Sequence, residues 1–112
     1  MTQDDYIAEH LKHFHCGERN IVVSSQLEVI FGLSGSDLRR AVNRLRGSGI
    51  PICSSDHGYF YAENELELKR TISQLRSRIR KIAFAERGLT RALRDMEDTG
   101  QISFPMEGGD RD

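Results

Sequence analysis

The sequence predicts a mainly α fold with a small β-hairpin, followed by a long C-terminal helix. Three observations predict it. Apolar residues recur at helical spacing in three short segments before Gly47. Two short runs rich in β-branched and aromatic residues flank Asp56-His57-Gly58, the composition of a tight hairpin. From about Asn64 to Met96, apolar positions repeat in alternating steps of four and three.

Asp4 or Asp5 suits the cap of a first helix running to about Phe14, with Tyr6, Ile7, Leu11 and Phe14 as its buried stripe. The polar stretch 15–20 contains Gly17 and reads as a loop. Ile21, Val22 and Val23 form a β-branched run, expected as a three-residue strand. Ser25-Gln26-Leu27-Glu28 fits a capping box, in which the serine accepts an early helix N–H and the glutamate reaches back. The short second helix carries Leu27, Ile30 and Phe31 on one face and stops at Gly32. After a turn at Leu33 and Ser34, a third helix is expected over 36–46, ended by Gly47 and Gly49. Its inward stripe is Leu38, Ala41, Val42 and Leu45. Strands follow at 50–54 and 59–62, joined by Ser55-Asp56-His57-Gly58, whose Asp, His and Gly tolerate the positive φ of a tight turn. Pro51 suits the start of an edge strand, where a missing N–H costs nothing.

The long helix carries Leu68, Ile72, Leu75, Ile79, Ile82, Leu89, Leu93 and Met96 as a heptad seam, with Glu86 in the one slot that should be apolar. At 1.5 Å per residue it would extend about 50 Å. A core of about 60 residues is too small to cover such a seam. The expectation is a homodimer through Leu75, Ile79, Ile82, Leu89 and Leu93, against a fold-back of the helix on its own domain. Beyond Thr99 the chain is acidic and aperiodic, read as a disordered tail in which Ile102 and Phe104 are the apolar points. The expected organisation is therefore 1–63 for the compact domain, 64–97 for the helix and 98–112 for the tail.

The net charge of −1 conceals a strong polarity. Residues 34–94 hold 13 Lys and Arg against 6 Asp and Glu, and the remainder holds 3 bases against 11 acids. Phosphate binding answers to such a local basic patch and not to the total; a solvated helix surface is the plainer reading. With only Cys16 and Cys53, a disulfide framework is not expected, and reduced thiols point to a cytoplasmic protein. No apolar run approaches a membrane span, and the N-terminus lacks the apolar core of a secretory signal.

Helix, short strand, helix, turn, helix and hairpin is the order of a winged helix-turn-helix. Leu33-Ser34, then Leu38, Val42, Leu45-Arg46, Gly49-Ile50-Pro51-Ile52 and Gly58-Tyr59, resembles the N-terminal DNA-binding domain of the biotin operon repressor family. The likeness spans about 22–62, and small phage and prophage proteins with this module are also similar. It implies duplex DNA as the partner and the third helix as the reader. Gly35 stands where that family often has a polar or basic residue, so the family's sequence preference does not carry over.

With the leucine stripe inward, the third helix turns Ser36, Arg39, Arg40, Asn43 and Arg44 outward. Arginine pairs bidentately with guanine and asparagine with adenine, so Arg40 and Asn43 are assigned to base edges. Arg39, Arg44 and Arg46 are assigned to phosphates, with Ser34 and Ser36 at the helix N-terminus. His57, alone at an otherwise weakly acidic wing tip, is a minor-groove or backbone candidate, although a structural role suits a turn histidine as well. A transcriptional regulator or a phage-type replication or packaging accessory would use this equipment. The alternative is a protein-interaction module that uses the domain as scaffold and the long helix and acidic tail as binding surfaces.

Catalysis is not expected. His10, His13, His15 and Cys16 cluster in sequence, with Cys53 and His57 able to approach, but the paired spacing of a zinc site is missing. No orienting group is evident for a Cys–His nucleophile, and no cofactor loop is present.

Overall fold

A computed structural model describes residues 1–100. The elements are α1 (Gln3–Phe14), a 3₁₀ turn (Glu18–Asn20), α2 (Ser24–Phe31), α3 (Gly35–Gly47), β1 (Ile52–Ser55), β2 (Gly58–Tyr61) and α4 (Glu65–Asp98). The fold is therefore mainly helical with one antiparallel hairpin and a long C-terminal helix, as the periodicity predicts. The chain divides into two units, Met1–Gln74 and Leu75–Asp112, so α4 contributes its opening turns to the first and the remainder to the second. The expected tail at 98–112 lies almost wholly outside the described residues.

In the first unit, Ile7, Leu11, Leu27, Leu38, Val42 and Ile52 are almost fully buried and form one core with Ala8, Val22, Ala41 and Leu45. Phe31, Leu33, Ile50, Tyr59 and Tyr61 close its margins. All four residues expected on the inner face of α3 are buried. Its apolar stripe at helical spacing leaves only one orientation in which leucine is removed from water.

Several local expectations are corrected. The cap of α1 is Thr2, whose hydroxyl accepts the Asp5 N–H at 3.1 Å while the Asp5 carboxylate accepts the Thr2 N–H at 3.0 Å. This reciprocal pair starts the helix earlier than a cap at Asp4 or Asp5 would. Tyr6 and Phe14 are exposed, because Ile7, Ala8 and Leu11 alone face the core; Tyr6 is on the flank and Phe14 on the last turn. Both line an open apolar groove with His10, Ile30 and Phe31. Ile30, expected inward, is about half exposed there.

The run 21–23 is not a strand. Gly17, at φ 87°, turns the chain into the 3₁₀ segment, and Val23 already serves as the N-cap of α2. Within this run only Val22 bridges β2, exchanging hydrogen bonds with Tyr59 at 3.0 and 2.9 Å. The expected capping box at Ser25 is also absent. Ser24 opens α2, and its hydroxyl donates to the Glu28 carboxylate at 3.0 Å.

In the hairpin, Ile52 pairs with Tyr61 and Ser55 with Gly58, leaving Asp56 and His57 as the turn. Neither has positive φ; Gly58 carries it alone, at 141°. The reason is steric. A Cβ on Gly58 would lie 2.0 Å from the Val22 carbonyl oxygen, so only glycine admits the close approach that pairs Val22 with β2.

Candidate nucleic-acid interface

Ser34 caps α3 from extended backbone, its hydroxyl accepting the Asp37 N–H at 3.1 Å. Gly35 opens the helix with its α-carbon toward Glu28: a Cβ there would stand 3.3 Å from that carboxylate. The buried leucine stripe then fixes the outward face. Ser36, Arg39, Arg40, Asn43 and Arg44 are all exposed on it, and the structure brings these five sequence-assigned residues together on one helix.

Their engagements differ. Arg40 forms an ion pair with Asp37 one turn earlier. Arg44 forms a bidentate pair with Asp4 of α1, at 2.8 and 3.1 Å. The Arg40 guanidinium and the Ser34 hydroxyl hold the Asp37 carboxyl below the usual carboxylate range, and the Arg44 hydrogen bond does the same for Asp4. Among the described residues, the side chains of Ser36, Arg39 and Asn43 have no hydrogen-bond or ion-pair partner. The face is therefore basic, but two of its three arginines already hold carboxylates.

Arg46 has a different situation. It is half-buried, its Nε donates to the Ile52 carbonyl at 2.8 Å, and its terminal nitrogen donates to the Ser54 hydroxyl at 3.0 Å. It splices the last turn of α3 to β1 and points away from the outward face. Only the chain reversal at Gly49, where φ is 89°, brings β1 within its reach, and spacing in the sequence carries no sign of that. His57 is exposed at the wing tip beside Asp56, and its backbone N–H donates to the Ser55 hydroxyl at 3.1 Å.

A residue that sequence reasoning missed supports the wing from below. Glu67 is 9% exposed and accepts the Glu18 N–H at 2.9 Å and the Glu63 N–H at 2.8 Å. Its own N–H donates to Asn64, the cap of α4, at 3.0 Å. One carboxylate thus joins the 3₁₀ turn, the exit of the hairpin and the first turn of α4. Arg19 and Glu63 add a bidentate pair at 2.9 and 3.0 Å across the same junction. The N-x-x-E spacing at Asn64 is the only sequence signal of this arrangement.

The cysteines are unbridged; Cys53 is buried, and burial pushes its thiol up. Among the described residues no group of three or more His, Cys, Asp or Glu is placed to hold a metal ion, and no helix is long and apolar enough to cross a membrane. No protein family, curated protein or solved structure matches the chain.

Proposed function

We propose that the chain binds duplex DNA as a winged helix-turn-helix, laying α3 in the major groove as a sequence-specific transcriptional regulator or a phage-type replication or packaging accessory. The observation that carries this reading is the outward face of α3, with Arg39 and Asn43 unengaged and Arg40 and Arg44 exposed beside them. An α-helix fits the major groove, and arginine and asparagine are the residues that read guanine and adenine there. Arg40 and Asn43 take base edges; Arg39 and Arg44 take phosphates, with Ser34 and Ser36 at the helix start. Arg46 sets the aim of the wing. A two-fold dimer through the α4 seam would present two such helices to two half-sites. Ile79, Ile82 and Leu89 are all more than 60% exposed, Leu93 is about half exposed and Leu75 is half-buried.

Duplexes selected from a random pool, titrated by fluorescence anisotropy across salt concentrations, test this reading. Arg40→Ala and Asn43→Ala should flatten discrimination between selected and random duplexes, each costing about 1–3 kcal/mol at the selected site. Arg39→Ala should weaken binding to all duplexes alike and lower the salt slope by about 1. Unchanged binding in all three variants would refute the placement of α3.

A second reading draws on a specific observation: Asp37, Asp4 and Asp56 place carboxylates on or beside the recognition surface. In a protein-interaction module those pairs would be structural, and the long helix and acidic tail would bind the partner. Absence of any gel retardation at low salt favours this version.

A further inference from the structure

Beyond Leu75, the seam of the second unit runs Ile79, Ile82, Glu86, Leu89, Leu93 and Met96, and these five apolar residues are between 47% and 73% exposed. We infer that a second copy of the chain covers it in antiparallel orientation, Ile79 against the partner subunit's Met96, Ile82 against its Leu93 and Glu86 against its Leu89. This inference rests on the dimer reading above and not on DNA binding.

Charge decides the direction. Residues 76–81 contain Arg76, Arg78, Arg80 and Lys81 and no acid, whereas 95–98 contain Asp95, Glu97 and Asp98 and no base. None of these seven takes part in an ion pair within the described residues. A parallel pairing in register would set the basic blocks side by side and stack Glu86 on its own copy, which is unfavourable at a seam position. Antiparallel pairing lays each basic block along the other chain's acidic end.

The heptad then fixes the neighbours. Flanking positions on the same side of the seam oppose one another, so Arg76 faces the partner subunit's Glu97, and the arrangement occurs twice by symmetry. Near the middle the flanks are Ala83, Ala85, Thr90 and Ala92, small enough for two helices to approach closely. The Glu86 carboxylate accepts the Thr90 hydroxyl at 3.0 Å, which draws it toward a flank and away from the seam centre. The overlap, 76–98, uses only residues of the second unit. Two such faces bury about 1,000 Å² in total, the lower edge of specific association, so the dimer should be concentration-dependent.

Sedimentation equilibrium of the full chain without DNA, with a charge swap, tests the inference. Arg76→Glu alone and Glu97→Arg alone should each raise the dimer dissociation constant about tenfold, since each sets two like-charged pairs face to face. An equimolar mixture of the two variants should regain wild-type association, as should one chain carrying both substitutions. In a parallel pair residues 76 and 97 never meet, and neither combination would rescue. A wild-type chain that stays monomeric at millimolar concentration overturns the dimer itself. A dimer whose single variants are silent, or are not rescued, overturns the orientation alone. Helical circular dichroism of each variant shows whether α4 is intact.

Discussion

Replacing Glu67 by glutamine tests whether one buried carboxylate holds three chain segments together. Both of its oxygens accept backbone N–H groups, from Glu18 and Glu63, at 2.9 and 2.8 Å. The amide keeps one acceptor and turns an NH₂ toward the other N–H. One charge-assisted bond is lost, and a buried donor is left facing a donor, which costs about 2–3 kcal/mol. For a unit of this size that lowers Tm by about 10–20 °C. Near-ultraviolet circular dichroism follows the hairpin through Tyr59 and Tyr61 without the dominating helical signal of α4. The pH dependence supplies a second readout. Burial pushes the Glu67 carboxyl up, but the two backbone donors, with Arg19 and Arg70 nearby, outweigh it and hold it below the ordinary 4.5. A depressed folded value means that this stabilisation is fully present above about 4.5 and is lost as pH falls through the lower folded value. Glu67→Gln should therefore be less acid-sensitive than wild type between about pH 5 and 3. A melting midpoint within about 3 °C of wild type would refute the reasoning.

Two further outcomes follow from contacts in the first unit. Gly58→Ala places a methyl 2.0 Å from the Val22 carbonyl oxygen and asks an L-residue to hold φ 141°, so a loss of about 3 kcal/mol or more is expected in urea unfolding; a loss under 1 kcal/mol would mean that the Val22–Tyr59 bridge is dispensable. Asp4→Asn removes the carboxylate that occupies Arg44, so DNA affinity at low salt should rise roughly threefold or more and the salt slope steepen by up to about 1; unchanged anisotropy titrations would remove Arg44 from the interface.

Much of the fold was legible because it is periodic. The inner stripe of α3, the hairpin around Asp56 and His57, and the length of α4 each repeat a simple pattern over enough residues to exclude alternatives. Short segments were not. Three β-branched residues at 21–23 favour a strand locally, but α2 begins at Ser24 and leaves room for a single bridge. Thr2 and Asp5 compete with Asp4 for the same cap, and only the position of Arg44, 40 residues away, shows why Asp4 is turned elsewhere. The outward face of α3 could be read residue by residue, since helical geometry dictates it. Its ion pair with Asp4, the Arg46 link to β1 and the junction at Glu67 depend on chain reversals that bring distant residues together, and the N-x-x-E spacing at Asn64 signals only the helix start.

The Arg46 brace separates the outward face of α3 from the way the hairpin is held. It starts two residues after Arg44, and the outward residues before it touch none of the hairpin's hydrogen bonds. The exposed positions of α3 can therefore be rewritten without disturbing the hairpin's tilt. On the proposed reading, a new base preference would be set at Arg40 and Asn43, while Arg46, Ile52 and Ser54 stay fixed as the mount.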